Sequence, residues 1–353
     1  MYLSSVSVMG SDDDIKAPGR GRGSGILPIM VPEHDSEALP AGAAERARLI
    51  ALDWGSSSLR GWLLDANGEV LDRREAPLGI LNVREGRFAE AFRAFCALWL
   101  AIRPDLPAIA SGMIGSRQGW REAPYVATPA GFDALASGLL DLGDEAGRPF
   151  RIVPGLVTRP PGGSPDVIRG EETQVFGAIG TGASGTALFL LPGTHSKWVA
   201  TRDAVVTGFR TCMTGELYAV MRQHSILGRL CEEPESPDAP GPLSAFDDGV
   251  RRGLAEPGAL GHLLFTVRSE GLLGQRPPDH LPGYLSGLLI GAEIGDALRA
   301  FSPRQAPCVI AAPALAARYL RALHLAGIEA TAAQGEPARD GLYAIAAHAG
   351  LVA

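Results

Sequence analysis

The sequence predicts an α/β protein made of two similar halves, and two observations support this prediction. The first is an apolar strand, a turn rich in glycine and serine, and a second apolar strand across residues 49–64. The second is the recurrence of the same order of elements across residues 186–207. Because short apolar runs without a helical period are typical of strands buried on both faces, each half is expected to build its own sheet.

Length, composition and charge restrict the classes to which the protein can belong. Its 353 residues suffice for two domains with separate cores, and 46% hydrophobic residues with 20% charged residues are typical of a globular protein. The net charge of −7, without a sustained run of Lys or Arg, argues against nucleic acid or a membrane surface as a partner. The four cysteines are far apart, which argues against zinc or disulfides and favours reduced thiols in the cytoplasm. No apolar run reaches the roughly 18 residues of a membrane-spanning helix.

The chain is predicted to have three segments. Residues 1–47 carry scattered prolines, Gly-Arg pairs and no hydrophobic period, so they are predicted to be a disordered tail. Two domains are predicted to follow, at residues 48–182 and 183–353, each containing one copy of the repeated pattern.

In the first half, a β-β-β-α-β unit is predicted. Its elements are strands at 49–53, 59–64 and 69–75, a helix at 88–102 and a strand at 108–110. The pair Asn67-Gly68 is a strong signal for the hairpin turn between the second and third strands. The helix is predicted from apolar residues at helical spacing.

In the second half, the same order recurs. The predicted elements are strands at 186–191, 199–201 and 204–207, helices at 216–227 and 284–300, a strand at 308–313, a helix at 314–326, a strand at 328–332 and a final helix at 340–349 that closes this domain. The glycines Gly287 and Gly291 favour close helix packing. The small-residue turn around Ala312 and Pro313 is a candidate binding surface for an adenine ring. The alternative is that these residues serve only α/β packing.

The turn after the first strand combines groups that suit phosphate. Gly55 allows a tight turn, and the hydroxyls and N–H groups of Ser56, Ser57 and Ser58 can bind phosphate oxygens. Asp53, at the strand end, can hold a hydrated Mg²⁺ beside them. The alternative is an ordinary hairpin with a serine cluster.

The corresponding turn in the second half has the sequence Gly193-Thr194-His195-Ser196-Lys197. It offers the same small and hydroxyl residues and adds the Lys197 ammonium, a point charge suited to phosphate. His195 is either a ligand contact or a solvated turn residue. Two such turns facing each other predict a two-lobed nucleotide clamp.

Two further segments carry candidate chemistry. The glycine-rich segment 111–120 follows a strand, and there Arg117 and Gln118 can clamp a carboxylate, unless the loop is merely solvated. After Gly170, Glu171 and Glu172 open a predicted helix. A carboxylate there can act as a general base, or the pair can simply complement the helix dipole.

Together these motifs resemble the sugar kinase/actin/Hsp70 ATPase superfamily and, more narrowly, the 2-dehydro-3-deoxygalactonokinase family. The resemblance covers about residues 48–350. The matching stretches are LIALDWGSSSLRGWLL at 49–64, SGMIGSRQGWREAPYVATPAG at 111–131, VIRGEETQVFGAI at 167–179, LPGTHSKWV at 191–199, GFRTCMTGELYAV at 208–220 and YLSGLLIGAEI at 284–294.

The resemblance implies two ribonuclease H-like (actin-like ATPase) lobes, each β-β-β-α-β-α, with the active site in the cleft between them. The N-terminal lobe is then the substrate side and the C-terminal lobe the nucleotide side. The implied reaction transfers the ATP γ-phosphate, with Mg²⁺, to the 6-hydroxyl of 2-dehydro-3-deoxy-D-galactonate, in the De Ley–Doudoroff route. The implied partners are ATP and this sugar acid, and a homodimer is left open.

The resemblance also implies roles for individual residues. Glu171 best fits the catalytic carboxylate, followed by Glu172 and then Asp166. Asp53 lies near Mg²⁺, and the two turns bind the phosphates. The residues assigned to the substrate are Arg117, Gln118, Arg60 and Trp54, and those assigned near the adenine are Ala312 and Pro313. The alternatives are a kinase for the gluconate epimer or another sugar acid, and a non-kinase nucleotide-driven binding protein of the same superfamily.

Overall fold

The computed structural model describes residues 39–180, 185–302 and 306–352, and the elements are numbered along these ranges. The strands are β1 (Ala47–Trp54), β2 (Leu59–Asp65), β3 (Val70–Ala76), β4 (Ala108–Ser111), β5 (Tyr125–Ala127), β6 (Leu140–Asp141), β7 (Phe150–Ile152), β8 (Gly155–Thr158), β9 (Asp166–Ile168), β10 (Thr186–Leu191), β11 (Ser196–Arg202), β12 (Val205–Cys212), β13 (Cys308–Val309) and β14 (Thr331–Ala332).

The α-helices are α1 (Ala43–Arg46), α2 (Phe88–Phe95), α3 (Ala97–Ile102), α4 (Phe132–Ser137), α5 (Gly143–Ala146), α6 (Glu171–Ile179), α7 (Thr214–His224), α8 (Pro240–Ala255), α9 (Leu260–Leu272), α10 (Leu281–Phe301), α11 (Pro313–Leu325) and α12 (Pro337–His348). Mixed sheets with these helices packed around them make an α/β fold. Within the described ranges, no helix combines the length and the apolar character needed to cross a membrane.

The first sheet is built around β1. Its strand order is β3-β2-β1-β4-β7-β6, with β1 antiparallel to β2 and parallel to β4. The predicted order of strands in the first half is therefore confirmed. Residues 49–52 of β1 are fully buried, as expected for an apolar strand in the middle of a sheet covered on both faces.

The second sheet repeats this arrangement around β10. Its strand order is β12-β11-β10-β13-β14, with β10 antiparallel to β11 and parallel to β13. The predicted repeat is therefore present in the strand order. The parallel pairing places the ends of β10 and β13 at the same edge of the sheet, because Leu190 lies opposite Val309.

The start of the chain and the first predicted helix differ from expectation. Residues 1–38 of the predicted tail lie outside the described residues, whereas α1 and the first residue of β1 are ordered, with Ala43 buried. The prediction of a single helix at 88–102 is wrong. The backbone leaves the helical conformation at Cys96, with φ −93° and ψ 11°, and this break separates α2 from α3. Beyond this break, Trp99 donates its indole N–H to Asp72 at 2.6 Å, so α3 is anchored to β3.

Two helices in the second half were not predicted. Both α8 and α9 follow a proline- and acid-rich stretch of the chain. α8 packs against α10 backbone to backbone. A Cβ at Gly287 would lie 2.1 Å from the Phe246 carbonyl oxygen, and one at Gly291 would lie 2.3 Å from that of Val250. The prediction that these glycines serve helix packing is confirmed.

The last helix crosses to the first sheet. α12 was assigned to the domain at 183–353, but it packs against α6, α4 and β1. A Cβ at Gly177 would lie 1.8 Å from the Pro337 carbonyl oxygen, and one at Gly341 would lie 1.9 Å from that of Thr173. The two helices can approach so closely only because both crossing positions are glycine.

A third, three-stranded sheet with the order β5-β8-β9 lies beside β12. Asp166, at the start of β9, accepts the backbone N–H of Thr211 at 2.6 Å. A separate bridge pairs Ala130 with Val206. The two halves of the chain are thus in direct contact through β12 as well as through α12.

Candidate active site

Loop 1 (residues 53–58) connects β1 to β2 in a tight turn. The Gly55 N–H donates to the Ser58 carbonyl at 3.0 Å, and the Gly55 carbonyl accepts the Ile80 N–H at 3.0 Å. Ser56 and Ser57 are exposed and Ser58 is partly exposed. The serine hydroxyls predicted to bind phosphate are therefore accessible to a ligand. The backbone of the turn is held in place by its hydrogen bond with Ile80.

Contacts from residues 79–82 hold loop 1 in place, and they were not predicted from the sequence. A Cβ at Gly79 would lie 2.3 Å from the backbone of both Ser56 and Ser57, so only glycine fits there. Asn82 adds a side-chain hydrogen bond to the Ser57 carbonyl at 3.2 Å. The signal available in the sequence was Gly79 in a short segment rich in turn residues.

Asp53 lies at the end of β1 and forms an ion pair with Arg60, which lies opposite it on β2. The side chain of Asp53 is 14% exposed, and that of Arg60 is 38% exposed. The residue predicted to lie near the metal thus contacts a residue predicted to bind substrate, although only strand register brings them together.

Three segments far apart in sequence meet beside Asp53. Gly112 has φ +94°, and a Cβ there would lie 2.9 Å from the Trp54 carbonyl oxygen and 3.5 Å from Asp53 Oδ1. Gly170 has φ +102°, and a Cβ there would lie 3.1 Å from the Gly112 Cα. Both glycines adopt backbone angles that L side chains rarely adopt, which lets loop 1, the 111–120 segment and the start of α6 converge.

Glu171 begins α6 and contacts loop 2 (residues 193–197). The Lys197 Nζ lies 2.6 Å from Glu171 Oε1, and the Arg169 N–H donates to Glu171 Oε2 at 3.1 Å. The Glu171 side chain is 22% exposed and that of Lys197 is 11% exposed. This ion pair is the direct link between the start of α6 and the cation of loop 2.

Glu172 has a different environment, although it is the next residue. It is fully buried, and the Gly170 N–H donates to both of its carboxylate oxygens, at 2.9 and 2.7 Å. Burial, followed by the negative charge of Glu171, raises the pKa of Glu172 to about 8. Near neutral pH this carboxyl is largely protonated and faces the protein interior.

Asp166, the third candidate for a general base, is engaged in backbone contacts. It accepts the N–H groups of Val167 at 2.7 Å and of Thr211 at 2.6 Å. The bond from Thr211 ties β9 to β12, so Asp166 forms part of the framework between the two halves.

The first part of loop 2, residues 193–195, forms an open rim. Thr194 and His195 are exposed, and a Cβ at Gly193 would meet nothing within 4 Å. Ser196 is fully buried, and its hydroxyl lies 3.0 Å from that of Tyr319. Of the hydroxyls predicted to bind phosphate in loop 2, only that of Thr194 is exposed.

Loop 2 is held against the first turn of α7. The Glu216 N–H donates to the Thr194 carbonyl at 2.9 Å, and a Cβ at Gly215 would lie 2.3 Å from the Gly193 carbonyl oxygen. His195 forms a hydrogen-bond contact through its Nε2 with the Glu216 carboxylate. Glu216 was not predicted, although it lies in one of the stretches quoted above.

The predicted adenine residues lie near loop 2. Ala312 and Pro313 are exposed at the start of α11. They follow β13, whose parallel partner β10 leads into loop 2. The structure therefore brings these residues to the same edge of the second sheet.

The four residues predicted to contact substrate are found in different environments. Arg117 is 87% exposed with Glu122 at 3.5 Å, and Gln118 is also exposed. Arg60 pairs with Asp53 as described. Trp54 is fully buried and donates its indole N–H to the Leu78 carbonyl at 2.7 Å, so it supports loop 1 from within the core.

Arg169 was not predicted, although it directly precedes the Gly170-Glu171 step. Its guanidinium stacks 4.4 Å from the centre of the Tyr125 ring and donates from Nη2 to the Ala123 carbonyl at 2.8 Å. Among the described residues, its Nε and Nη1 find no hydrogen-bond partner. This cation clamps the 111–123 region against the start of α6.

The chain matches known proteins over most of its length. A family model described as 2-keto-3-deoxy-galactonokinase matches residues 53–345. The 2-dehydro-3-deoxygalactonokinase of Escherichia coli (strain K12) is 36% identical over 293 residues, which are 83% of this chain and 94% of that protein. A protein of Rhizobium meliloti (strain 1021), named "Probable 2-dehydro-3-deoxygalactonokinase DgoK1", is 38% identical over 297 residues, covering 84% and 95% of the two chains.

A solved structure agrees with these sequence matches. The crystal structure of a "putative 2-dehydro-3-deoxygalactonokinase protein from Sinorhizobium meliloti" superposes with a TM-score of 0.77 at 36% identity, over 84% of this chain and 98% of that one. The family match runs from Asp53 of loop 1 into α12 and so includes both loops and the start of α6. On this combined agreement, the chain belongs to the 2-keto-3-deoxy-galactonokinase family.

Proposed function

We propose that this protein is an ATP-dependent kinase that phosphorylates the 6-hydroxyl of 2-dehydro-3-deoxy-D-galactonate, giving 2-dehydro-3-deoxy-6-phospho-D-galactonate. The observation that carries the proposal is the 2.6 Å ion pair between Lys197 and Glu171. A cation suited to phosphate and a carboxylate suited to accept a proton stand together, as phosphoryl transfer to a hydroxyl requires. Family membership supports the identity of the substrate.

We further infer two lobes of the actin-like, ribonuclease H-like type, at about residues 48–182 and 183–353, with the active site in the cleft between them. The repeated strand order of the two sheets supports this division. So does the origin of the site residues, because Asp53 lies at the end of β1 and Lys197 lies in β11. α12 belongs to the second lobe in sequence and packs against the first.

In the proposed reaction, the 6-hydroxyl oxygen attacks the γ-phosphorus, the bond to the β–γ bridging oxygen breaks, and ADP leaves. Glu171 takes the hydroxyl proton. Loop 1 and the open rim of loop 2 bind the phosphates through N–H and hydroxyl groups, while Lys197 exchanges its contact with Glu171 for the transferring phosphoryl group. This exchange would free the Glu171 carboxylate when the nucleotide is in place.

The surroundings of the two glutamates favour Glu171 as the base. Its carboxylate is partly exposed and faces loop 2, whereas Glu172 is fully buried with a pKa raised to about 8 by burial and by Glu171. A general base must reach the hydroxyl and be ionised at the working pH. We therefore assign Glu172 to shaping the Gly170 turn.

We assign Mg²⁺ to Asp53. Mg²⁺ keeps several waters and usually takes one or two carboxylates together with substrate phosphates, so a single carboxylate beside phosphate-binding loops fits it. Across the described ranges, no group of three or more His, Cys, Asp or Glu side chains could form a protein-only cage. When bound, the ion would neutralise charge on the phosphate oxygens.

We assign the substrate carboxylate to Arg117 with Gln118 and to Arg60. The 87% exposure of Arg117 leaves its guanidinium free to turn toward an anion. Arg60 adds a cation beside loop 1. Trp54, buried beneath that loop, is kept as a support.

The proposal is tested by measuring ADP release from Mg²⁺-ATP over a panel of acceptors. The panel contains 2-dehydro-3-deoxy-D-galactonate, its gluconate epimer and galactose. We expect the galactonate to be used with a kcat/KM on the order of 100-fold above that of galactose, because a site built for a carboxylate leaves its cations unpaired with a neutral sugar. Arg117→Ala should narrow that ratio.

Each arm of the panel addresses a different part of the proposal. Nucleotide binding without ADP release on any keto-deoxy sugar acid would refute the kinase assignment. Equal use of galactose and the acid would refute only the carboxylate clamp. Preference for the gluconate epimer would change the substrate and keep the reaction.

The cellular setting is also a proposal. All four cysteines, Cys96, Cys212, Cys231 and Cys308, are free thiols, as a reducing compartment would keep them. We propose a cytoplasmic enzyme on this basis, and homodimer formation stays a prediction.

A further inference from the structure

A buried carboxylate lies beneath loop 2 and has no part in the proposed chemistry. Glu293 of α10 is 5% exposed. Its Oε1 accepts the indole N–H of Trp198 at 2.9 Å, and its Oε2 accepts the hydroxyl of Tyr319 at 2.8 Å. Tyr319 lies 3.0 Å from the Ser196 hydroxyl. Both carboxylate oxygens are therefore engaged by side chains from β11 and α11.

The network extends to the first turn of α7. Burial raises the pKa of Glu293, and side-chain hydrogen bonds from Thr214, Tyr319, Trp198 and Ser196 act against that rise. Thr214 is the first residue of α7 and is 7% exposed. The carboxylate thus hydrogen-bonds to side chains of β11 and α11, and its own helix, α10, packs against α7.

Two elements, β11 and α7, flank loop 2. β11 continues directly from the loop, beginning at Ser196. On the other side, Gly215 and Glu216, which follow Thr214, contact the backbone of Gly193 and Thr194. Glu293 is therefore bonded to β11 on one side of the loop, and its helix α10 packs against α7 on the other side.

The open rim of loop 2 has few means of holding its own shape. A Cβ at Gly193 would meet nothing within 4 Å, and Thr194 and His195 are exposed. Donors that bind a phosphate must be held in place before the ligand arrives, since ordering them on binding costs affinity. The rigidity of the rim must come from β11 and α7, which Glu293 connects.

Burying a carboxylate at a helix–sheet interface costs desolvation free energy. Apolar side chains of similar volume are often at least as stabilising, because a buried ionisable group must recover its lost hydration through hydrogen bonds. What the carboxylate adds is a directional connection among groups that apolar packing would leave free to shift. The arrangement around Glu293 favours a role in geometry over one in stability.

We propose that Glu293 is a positioning residue for nucleotide binding, which holds β11 and the start of α7 so that loop 2 presents its N–H groups to the phosphates. The inference rests on the proposed function, because it takes loop 2 as the nucleotide side. Its consequence is selective: the affinity for ATP depends on Glu293, whereas the affinity for the sugar acid does not.

The test compares Glu293→Leu, Glu293→Gln and Tyr319→Phe in the full-length enzyme. We measure KM for ATP, KM for the sugar acid, kcat, and the Kd of a non-hydrolysable ATP analogue by calorimetry. Glu293→Leu should raise KM and Kd for nucleotide by about ten- to a hundredfold, because the hydrogen bonds that hold β11 and α11 in place are lost, with KM for the acid nearly unchanged. Tyr319→Phe should give a smaller shift in the same direction.

The conservative variant Glu293→Gln should preserve the affinity for nucleotide. The glutamine amide can accept the Trp198 N–H and donate to the Tyr319 oxygen, so Glu293→Gln should restore nucleotide affinity to within a few-fold of wild type. The matched control is Asp247→Asn. Asp247 is 8% exposed and forms two 2.6 Å hydrogen bonds with Arg321, linking α8 and α11 without contacting loop 2. This control should lower the melting temperature and leave nucleotide Kd unchanged.

Nucleotide affinity unchanged in both Glu293→Leu and Tyr319→Phe would overturn the inference. Equal losses for ATP and the acid, or an equal loss of nucleotide affinity in Asp247→Asn, would reduce Glu293 to a purely structural residue. If Glu293→Leu fails to fold, Tyr319→Phe decides the outcome, because an unchanged nucleotide Kd in that variant would overturn the inference. Should the wild type bind the ATP analogue but phosphorylate no sugar acid, the kinase proposal fails and the nucleotide Kd values still test Glu293.

Discussion

At the scale of single residues, two adjacent glutamates show how position on a helix divides chemical roles. Glu171 faces loop 2 and pairs with Lys197 at 2.6 Å, whereas Glu172 is fully buried and bonded to the Gly170 N–H. Successive residues of a helix point about 100° apart, so one can face a cleft while the next enters the core. We expect their variants to behave differently.

Replacing Glu171 tests the proposed base. Glu171→Gln should lower kcat by about two to four orders of magnitude, the usual contribution of a general base, while nucleotide Kd changes little. Steady-state kinetics and calorimetry measure the two effects. Glu172→Gln is the comparison and should retain much more activity. An active Glu171→Gln together with an inactive Glu172→Gln would transfer the base role to Glu172.

Replacing Glu172 tests its protonation state. Burial and the charge of Glu171 raise its pKa from 4.5 to about 8, so the native state holds this proton more tightly than the unfolded chain does. Stability from this group is full below about pH 4.5 and is lost as pH rises through about 8. Melting temperatures between about pH 5 and about pH 8 should therefore fall less in Glu172→Gln than in wild type, by several degrees. Parallel pH profiles would show that Glu172 is not protonated in the native state.

At the scale of elements, the crossing of α6 and α12 connects the proposed base to the second sheet. α6 carries Glu171 at its start, and α12 follows β14 of the second sheet. Their contact depends on Gly177 and Gly341, where no Cβ fits. The position of Glu171 therefore depends on a helix from the other end of the chain.

Alanine at the crossing tests this dependence. In Gly177→Ala the added Cβ would lie 1.8 Å from the Pro337 carbonyl oxygen, so the helices must separate. Overpacking of this kind typically costs about 1–3 kcal/mol, and kcat should fall as α6 shifts. Urea denaturation and kinetics measure both effects.

The control for this variant is Gly261→Ala, in the first turn of α9. A Cβ at Gly261 would meet nothing within 4 Å. Alanine there should leave stability unchanged or raise it by up to about 1 kcal/mol, through its better helix propensity. If the two alanine variants are equally stable, the crossing does not constrain α6.

At the scale of the whole molecule, the candidate site uses residues from both halves. Loop 1 and the start of α6 come from the first half, and loop 2 with α7 comes from the second. Contacts at α12 and between Asp166 and Thr211 join the halves away from these loops. A site assembled in this way requires the relative position of two sheets, which no single segment of sequence specifies.

Much of the framework was accessible from local patterns. The strands around loop 1 and loop 2 were found because apolar runs and glycine-rich turns act over a few residues. The break at Cys96, the helix α8 and the small third sheet were missed. These features depend on anchors distant in sequence, such as Asp72 for Trp99 and the backbone of α10 for α8.

The sequence by itself determined the three antiparallel strands and the following parallel strand of each half, the two glycine- and hydroxyl-rich loops, and the glutamates that lie between those loops in the chain. Only the tertiary structure decided which of these side chains meet. It paired Lys197 with Glu171, enclosed Glu172 and Trp54, and turned Ser196 toward Tyr319. The physical reason is range: hydrophobic period and turn chemistry are set by neighbours in the chain, whereas burial and ion pairing are set by residues that only folding brings together.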